Sequence, residues 1–374
     1  MVLIFTSLYL TKELNFSIPA AGIIMSFFGM GSILGSYAGG WLTDRKSFFD
    51  IMIFSLLGSG LILFLFPFAT SQVALSAIIF LYAFMSDMFR PANAAAISAY
   101  STPENRTRSV SLIRLAINLG FSFGPAGGGF VALYLGYKWL YVIDALTSIA
   151  AAGILFFYLP RPEKKSSIEH NEVLADGKTS AYRDVHYLVF IFLVAVFATC
   201  FFQLFASVPQ YFSVVQHYNE DIIGLMLALN GLLVVVIEMP LITWLEGRMQ
   251  NQNREKIFSF IIAGNFCLPV AFVILHFGGG FIFWAVIYTL VITMAEVLAM
   301  PFMMNYSLSR PRKERQGQYS ALYSISYGIA IIFAPSIGLG IAGSFGFDKM
   351  FYFFILLGTL AAFGFMLLKK RESI

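Results

Sequence analysis

The chain has 374 residues, of which 59% are hydrophobic and only 12% charged, with a mean hydropathy of +0.79. A soluble domain carries about 25% charged residues, and water does not solvate this much apolar surface, so a soluble globule is excluded and an integral membrane protein is implied. The net charge of +4 is no nucleic-acid signal, because the basic residues fall between the apolar runs.

Those runs are long enough for helices, which need roughly 20 apolar residues to cross a bilayer. They do not alternate as barrel strands do. In chain order, spans are expected at 20–43, 50–69, 73–98, 109–135 and 139–159, and then at 187–212, 221–245, 256–276, 279–303, 318–342 and 347–368. Residues 1–11 are apolar too. At about 1.5 Å per residue they cover half of a ~30 Å hydrocarbon core, so the first span is expected to be partial, either because the chain starts late or because a segment is lost. The first segment lacks a basic n-region and a cleavage site, so no signal peptide is expected. Cys200 and Cys267 lie in apolar runs and imply no disulfide.

Loop charge fixes an expected orientation. With the loop after residue 43 placed on the cytoplasmic side, 19 of the 24 Lys and Arg fall on that side. Only Lys12, Lys138 and Lys349 fall opposite, and Arg90 and Arg114 lie inside spans. That is the positive-inside pattern. The longest hydrophilic stretch, 160–186, reads as a cytoplasmic linker between two bundles, 1–159 and 187–374.

The bundles look duplicated. A shift of 210 residues pairs Pro91 with Pro301, Glu104 with Glu314, Pro125 with Pro335 and Gly128 with Gly338. A shift of 202 pairs Gly22 with Gly224 and Gly29 with Gly231, and a shift of 203 pairs Trp41 with Trp244 and Arg45 with Arg248. Repeated halves of this kind characterise secondary transporters.

Charges at membrane depth cost at least ~2.5–3.5 kcal/mol each on insertion scales, so they are usually paired or functional. Asp87 and Arg90, three apart, share a helix face. They form an ion pair, or Asp87 takes a proton or cation while Arg90 tunes it. Glu296 falls beside the Asp87 position in the second half, and two carboxylates at matching depth are expected to face one central cavity. Arg114 and Asn118, four apart, precede a Gly-Pro-Gly segment; Arg114 is expected to pair with Asp87, Asp144 or backbone carbonyls. Asp144 is either interfacial or part of the site. Glu238 is a further proton-site candidate. No histidine has a partner at metal-ligand spacing and no nucleophile constellation is present, so neither a metal, a cofactor nor an enzyme is expected.

Two motifs carry a family resemblance. Gly40-Trp-Leu-Thr-Asp44-Arg45 resembles the cytoplasmic signature of the major facilitator superfamily, though Ser47, Phe48 and Phe49 replace its usual glycine and basic tail. Gly120, Gly124, Pro125, Gly128 and Gly129 match the G-x3-G-P-x2-G-G antiporter signature, with Ser111 in place of an earlier glycine. Phe89-Arg90-Pro91-Ala92 and the Asp144 stretch resemble the drug:proton antiporter branch, whose arginine in the fourth span is replaced here by apolar Ile78–Leu81. The resemblance implies an all-α fold of two six-helix bundles related by a pseudo-two-fold axis. It also implies a monomer in the plasma or inner membrane that exports small hydrophobic or amphiphilic molecules against protons. Asp44 and Arg45 are either a solvated loop pair or a latch between the halves, and the glycines would form a close-packing surface between them. The alternative within the same fold is an importer or uniporter of sugars, peptides or other metabolites.

Overall fold

The computed structural model describes residues 2–43, 45–100, 106–161, 181–248, 254–310 and 316–372. Fourteen α-helices follow one another among these residues. They are α1 (Val2–Lys12), α2 (Ile18–Thr43), α3 (Phe48–Leu63), α4 (Gln72–Asp87), α5 (Phe89–Tyr100), α6 (Arg106–Tyr134) and α7 (Tyr137–Tyr158). After the linker come α8 (Val185–Phe201), α9 (Ser207–Val214), α10 (Glu220–Arg248), α11 (Arg254–Phe277), α12 (Ile282–Ser309), α13 (Gln316–Phe345) and α14 (Phe347–Glu372). Ten segments of the described chain are long and apolar enough to cross a membrane. The 29-residue α6 occupies the expected span at 109–135, and α1 is an 11-residue helix.

Two expected spans are broken rather than continuous. The first half's fourth span divides into α4 and α5 at Met88. Pro91 has no N–H for the Asp87 carbonyl, and Ser36 Oγ of α2 approaches that carbonyl at 3.5 Å instead. The span after the linker divides into α8 and α9 around a short turn at Phe202–Leu204, upstream of Pro209. Gln203 fills this break, donating to the Thr199 and Ala334 carbonyls at 3.0 Å and accepting from Ser207 Oγ at 2.6 Å.

α8 starts at Val185, two residues before its expected boundary, because Asp184 caps it by accepting the Tyr187 N–H at 3.1 Å. Asp184 also holds Arg310 at the end of α12 through two hydrogen bonds of 2.7 and 3.0 Å, and accepts from Tyr319 OH at 3.0 Å. Burial pushes the Asp184 carboxyl up, but Arg310, the Tyr187 N–H and Tyr319 outweigh it and hold the group below its ordinary value.

Within the first part of the chain α2 packs on α4, and α3 on α4 and α7; within the last part α11 packs on α12 and α14, and α8 on α13 and α14. The two parts meet along α2–α13 and α6–α10. Both contacts lie toward the face that carries Lys12, Lys138 and Lys349. Along α2 they run from Pro19, beside Gly343, through Gly22, beside Pro335, to Ile33, beside Gly328. One turn further toward the basic loops, Tyr37 is 77% exposed.

Candidate functional site

Asp87 ends α4 in the first part of the chain, and Arg90 sits in the first turn of α5. The helix break leaves them as an ion pair of 2.7 Å, Arg90 Nε to Asp87 Oδ1. Asp87 is buried and its Oδ2 has no hydrogen-bond partner, whereas the Arg90 side chain is 70% exposed. Tyr82, one turn before, lies within electrostatic reach of both Asp87 and Asp144. Asp144 is half-buried on α7, and its carbonyl accepts from Thr147 Oγ1 at 3.0 Å.

A second cluster joins α10 to α12. Buried Asn230 donates through Nδ2 to Thr293 Oγ1 at 2.9 Å and to Glu296 Oε2 at 3.2 Å. Glu238, two turns along α10, is electrostatically coupled to Glu296. Tyr327 of α13 lies within electrostatic reach of Glu296 and accepts from Tyr323 OH at 3.2 Å. Phe202, in the broken span, packs edge-on against Tyr327 at 6.3 Å. Among the described residues no Lys, Arg or His pairs with Glu296. Asp87 and Glu296 themselves share no hydrogen bond or ion pair.

The glycine segment of α6 lies where the two halves meet. Pro125 and Gly128 are buried. A Cβ at Gly129 would run into the Glu220 carbonyl of α10, and one at Gly224 into the Pro125 carbonyl. Half-buried Gly124 belongs to the same segment, but Gly120 has nothing within 4 Å of a Cβ position. Beside this contact Glu220, buried at the start of α10, receives Lys12 at 2.6 Å and the Tyr137 hydroxyl. Thr11 Oγ1 accepts from Gln210 Nε2 of α9 at 2.8 Å.

The remaining sequence-derived candidates divide. Gly40 faces Pro91, with 4.0 Å from a Cβ position to the Pro91 Cβ. Exposed Arg45 stacks over Trp41, its guanidinium carbon 3.8 Å from the ring centre. Asp44 and the side chains of Arg114 and Asn118 lie outside the described residues. Sequence reasoning missed Tyr82, Asn230, Thr293, Tyr327, and the Lys12–Glu220–Tyr137 group. Asn230 and Thr293 had a usable signal, each being a polar residue in an apolar run. Glu220 had none, since it reads as an ordinary loop charge.

Residues 1–335 match the sequence model of the Major Facilitator Superfamily. The chain belongs to that superfamily. A "Na(+), Li(+), K(+)/H(+) antiporter" of Planococcus maritimus is 24% identical, over 96% of this chain and 89% of its own. "Multidrug resistance protein 2" of Bacillus subtilis (strain 168) is 25% identical, over 87% and 81%. Among solved structures, a POT family transporter in complex with a thioalcohol-conjugated peptide superposes with a TM-score of 0.81 at 12% identity, covering 100% of this chain and 92% of that one. Another, in complex with 5-aminolevulinic acid, gives 0.79 at 13% identity, covering 98% and 91%. The superfamily fold, and its arrangement of two six-helix bundles, is thus seen in this chain. The α2–α13 and α6–α10 contacts join its two halves.

Proposed function

We propose that the chain exports small hydrophobic or amphiphilic, drug-like molecules in exchange for protons. The halves 1–159 and 187–374, joined by the linker 160–186, would rock about a midplane cavity as a monomer. The basic loops, the linker and the C-terminus would lie in the cytoplasm of a plasma or inner membrane, as the positive-inside pattern supports.

The observation that carries this reading is Glu296. It lies within a span, takes one hydrogen bond from Asn230, and meets no cationic side chain among the described residues. A bare carboxylate at that depth is costly, so it rests with a proton or with a cationic partner. A group that takes a proton in one state and yields it in the other gives each ligand a preferred conformation, which coupling requires. Asp87, with one oxygen unpartnered, is the matching group of the other half. The Gly124–Gly129 contact with α10 supports export, because the signature it matches belongs to antiporters. One relative is named an antiporter and another a multidrug resistance protein.

Transport into inverted vesicles with a panel of dyes and drugs tests the proposal. Uptake should collapse when the proton gradient is dissipated, and Glu296→Gln should lower proton-driven uptake at least ~10-fold, within the roughly 5–150-fold that coupling between two sites is worth. Asp87→Asn should lower it as well. Full proton-driven uptake by both variants would show that neither carboxylate carries the proton. Accumulation in the opposite direction would favour the importer.

A further inference from the structure

We propose that Arg90 is a subsite for a carboxylate on the transported molecule, with Asp87 holding the guanidinium in place. The inference rests on the reading that this cavity carries small amphiphiles, and it names the head group they bear.

A guanidinium has five N–H donors in a rigid fork. Arg90 engages Asp87 on its Nε side and has no other partner among the described residues. The side chain is 70% exposed while its partner is 7% exposed, so the terminal Nη edge is open. Its direction follows from its helix. Met88, Ala92 and Ala96 are buried with Ile51 and Met52 of α3. At 100° per residue within α5, Arg90 points about 200° away from buried Ala92, off the α3 face. A guanidinium at this depth is costly against lipid; water or a ligand in the space between the halves is where an open edge is tolerated. That edge matches the two oxygens of a carboxylate, a geometry that lysine does not offer.

Asp87 positions the fork. Its Oδ1 takes the Nε side at 2.7 Å and its Oδ2 is buried without a donor, so the carboxylate is committed to Arg90 and the Nη edge is left for the ligand.

The test uses matched acids and methyl esters on the purified full chain in detergent: a rhodamine with a free benzoate against its methyl ester, and naproxen against its methyl ester. Wild type should bind each acid at least ~10-fold more tightly than its ester, the discrimination expected of a charge-assisted fork. Arg90→Lys keeps a charge for Asp87 but loses the fork, and should reduce the preference to under ~3-fold. The double variant Arg90→Gln/Asp87→Asn leaves no buried lone charge and should abolish it. Equal or absent binding of acid and ester by wild type overturns the subsite, as does an undiminished preference in both variants. Glu296→Gln, run alongside, separates the two readings. Normal proton-driven exchange in that variant removes the proton assignment of Glu296, while its acid preference reports on Arg90 alone.

Discussion

At the scale of single residues, Asp184 does three things at once. It caps α8, grips Arg310 with both oxygens and accepts from Tyr319. All three interactions favour the ionised carboxylate, which is why the group titrates below its ordinary value despite burial. A depressed folded-state pKa gives stability that is fully present above the unfolded value, about 3.9, and is lost as pH falls through the folded value. The thermal midpoint of the detergent-solubilised chain should therefore fall more steeply with acid in wild type than in Asp184→Asn below about pH 4. At neutral pH, Asp184→Asn should cost about 1–3 kcal/mol, as loss of hydrogen bonds to a charged group does. Parallel acid profiles for the two proteins would remove the linkage. Little of this was legible in the sequence. Asp184 sits in a charge-mixed stretch that reads as linker, and nothing in the order of residues announces that the α12 terminus lies beside it. Asp87 and Arg90 were legible because both partners lie on one turn, so local geometry alone brought them together.

At the scale of helices, one pattern passed unseen in the sequence. Gly31, Gly35 and Gly39 recur every fourth residue on α2, and each faces a carbonyl of α4 or the turn after it: Phe80, Phe84 and Met88 in order. Glycine at that period lets two backbones close to a distance that larger residues forbid. The stripe was obscured because the neighbouring residues of α2 are small as well, and because helix–helix distance is not written in hydropathy. Gly35→Val would drive a side chain into the Phe84 backbone, which cannot retreat as a flexible side chain would. We expect it to cost about 1–3 kcal/mol or more by overpacking, seen as lower yield of folded protein and a lower thermal midpoint. Gly120→Ala meets open space and should leave both unchanged, although Gly120 belongs to the recognised signature. Equal effects from the two substitutions would mean that the α2–α4 contact is looser than its glycines require.

At the scale of the whole molecule, the repeat read in the sequence becomes contact geometry. Gly22 on α2 meets the Pro335 carbonyl of α13, 2.7 Å from a Cβ position, and Gly224 on α10 meets the Pro125 carbonyl of α6. Gly29 meets Ile332 and Gly231 meets Ser122, each at 2.7 Å. The residues paired by shifts of 202 and 210 are thus partners across two seams related by the pseudo-two-fold axis. Polar chemistry breaks that symmetry. Glu220 beside the α6–α10 seam takes Lys12 and Tyr137 from the other half, whereas the α2–α13 approaches at Gly22, Gly29 and Gly328 are packing contacts. Opening this face must pull Glu220 away from both donors. Glu220→Gln keeps the shape and weakens the charge-assisted bonds, at a cost of about 1.5 kcal/mol to the closed face, which is roughly a ten-fold shift in population. The reporter is a cysteine at Ser26, buried on α2 between Gly22 and Gly29, in a background where Cys200 and Cys267 are alanine. A membrane-impermeant maleimide added from the face carrying Lys12 should label it several-fold faster in Glu220→Gln and in Lys12→Gln than in the parent. The exchanged pair Lys12→Glu/Glu220→Lys restores attraction across the seam, and its labelling should return toward the parental rate. Unchanged labelling in both single variants would mean that the glycine contacts alone hold this face shut. Fast labelling in the exchanged pair would mean that the site needs Glu220 in its own place, between Lys12 and Tyr137, rather than any opposite charge.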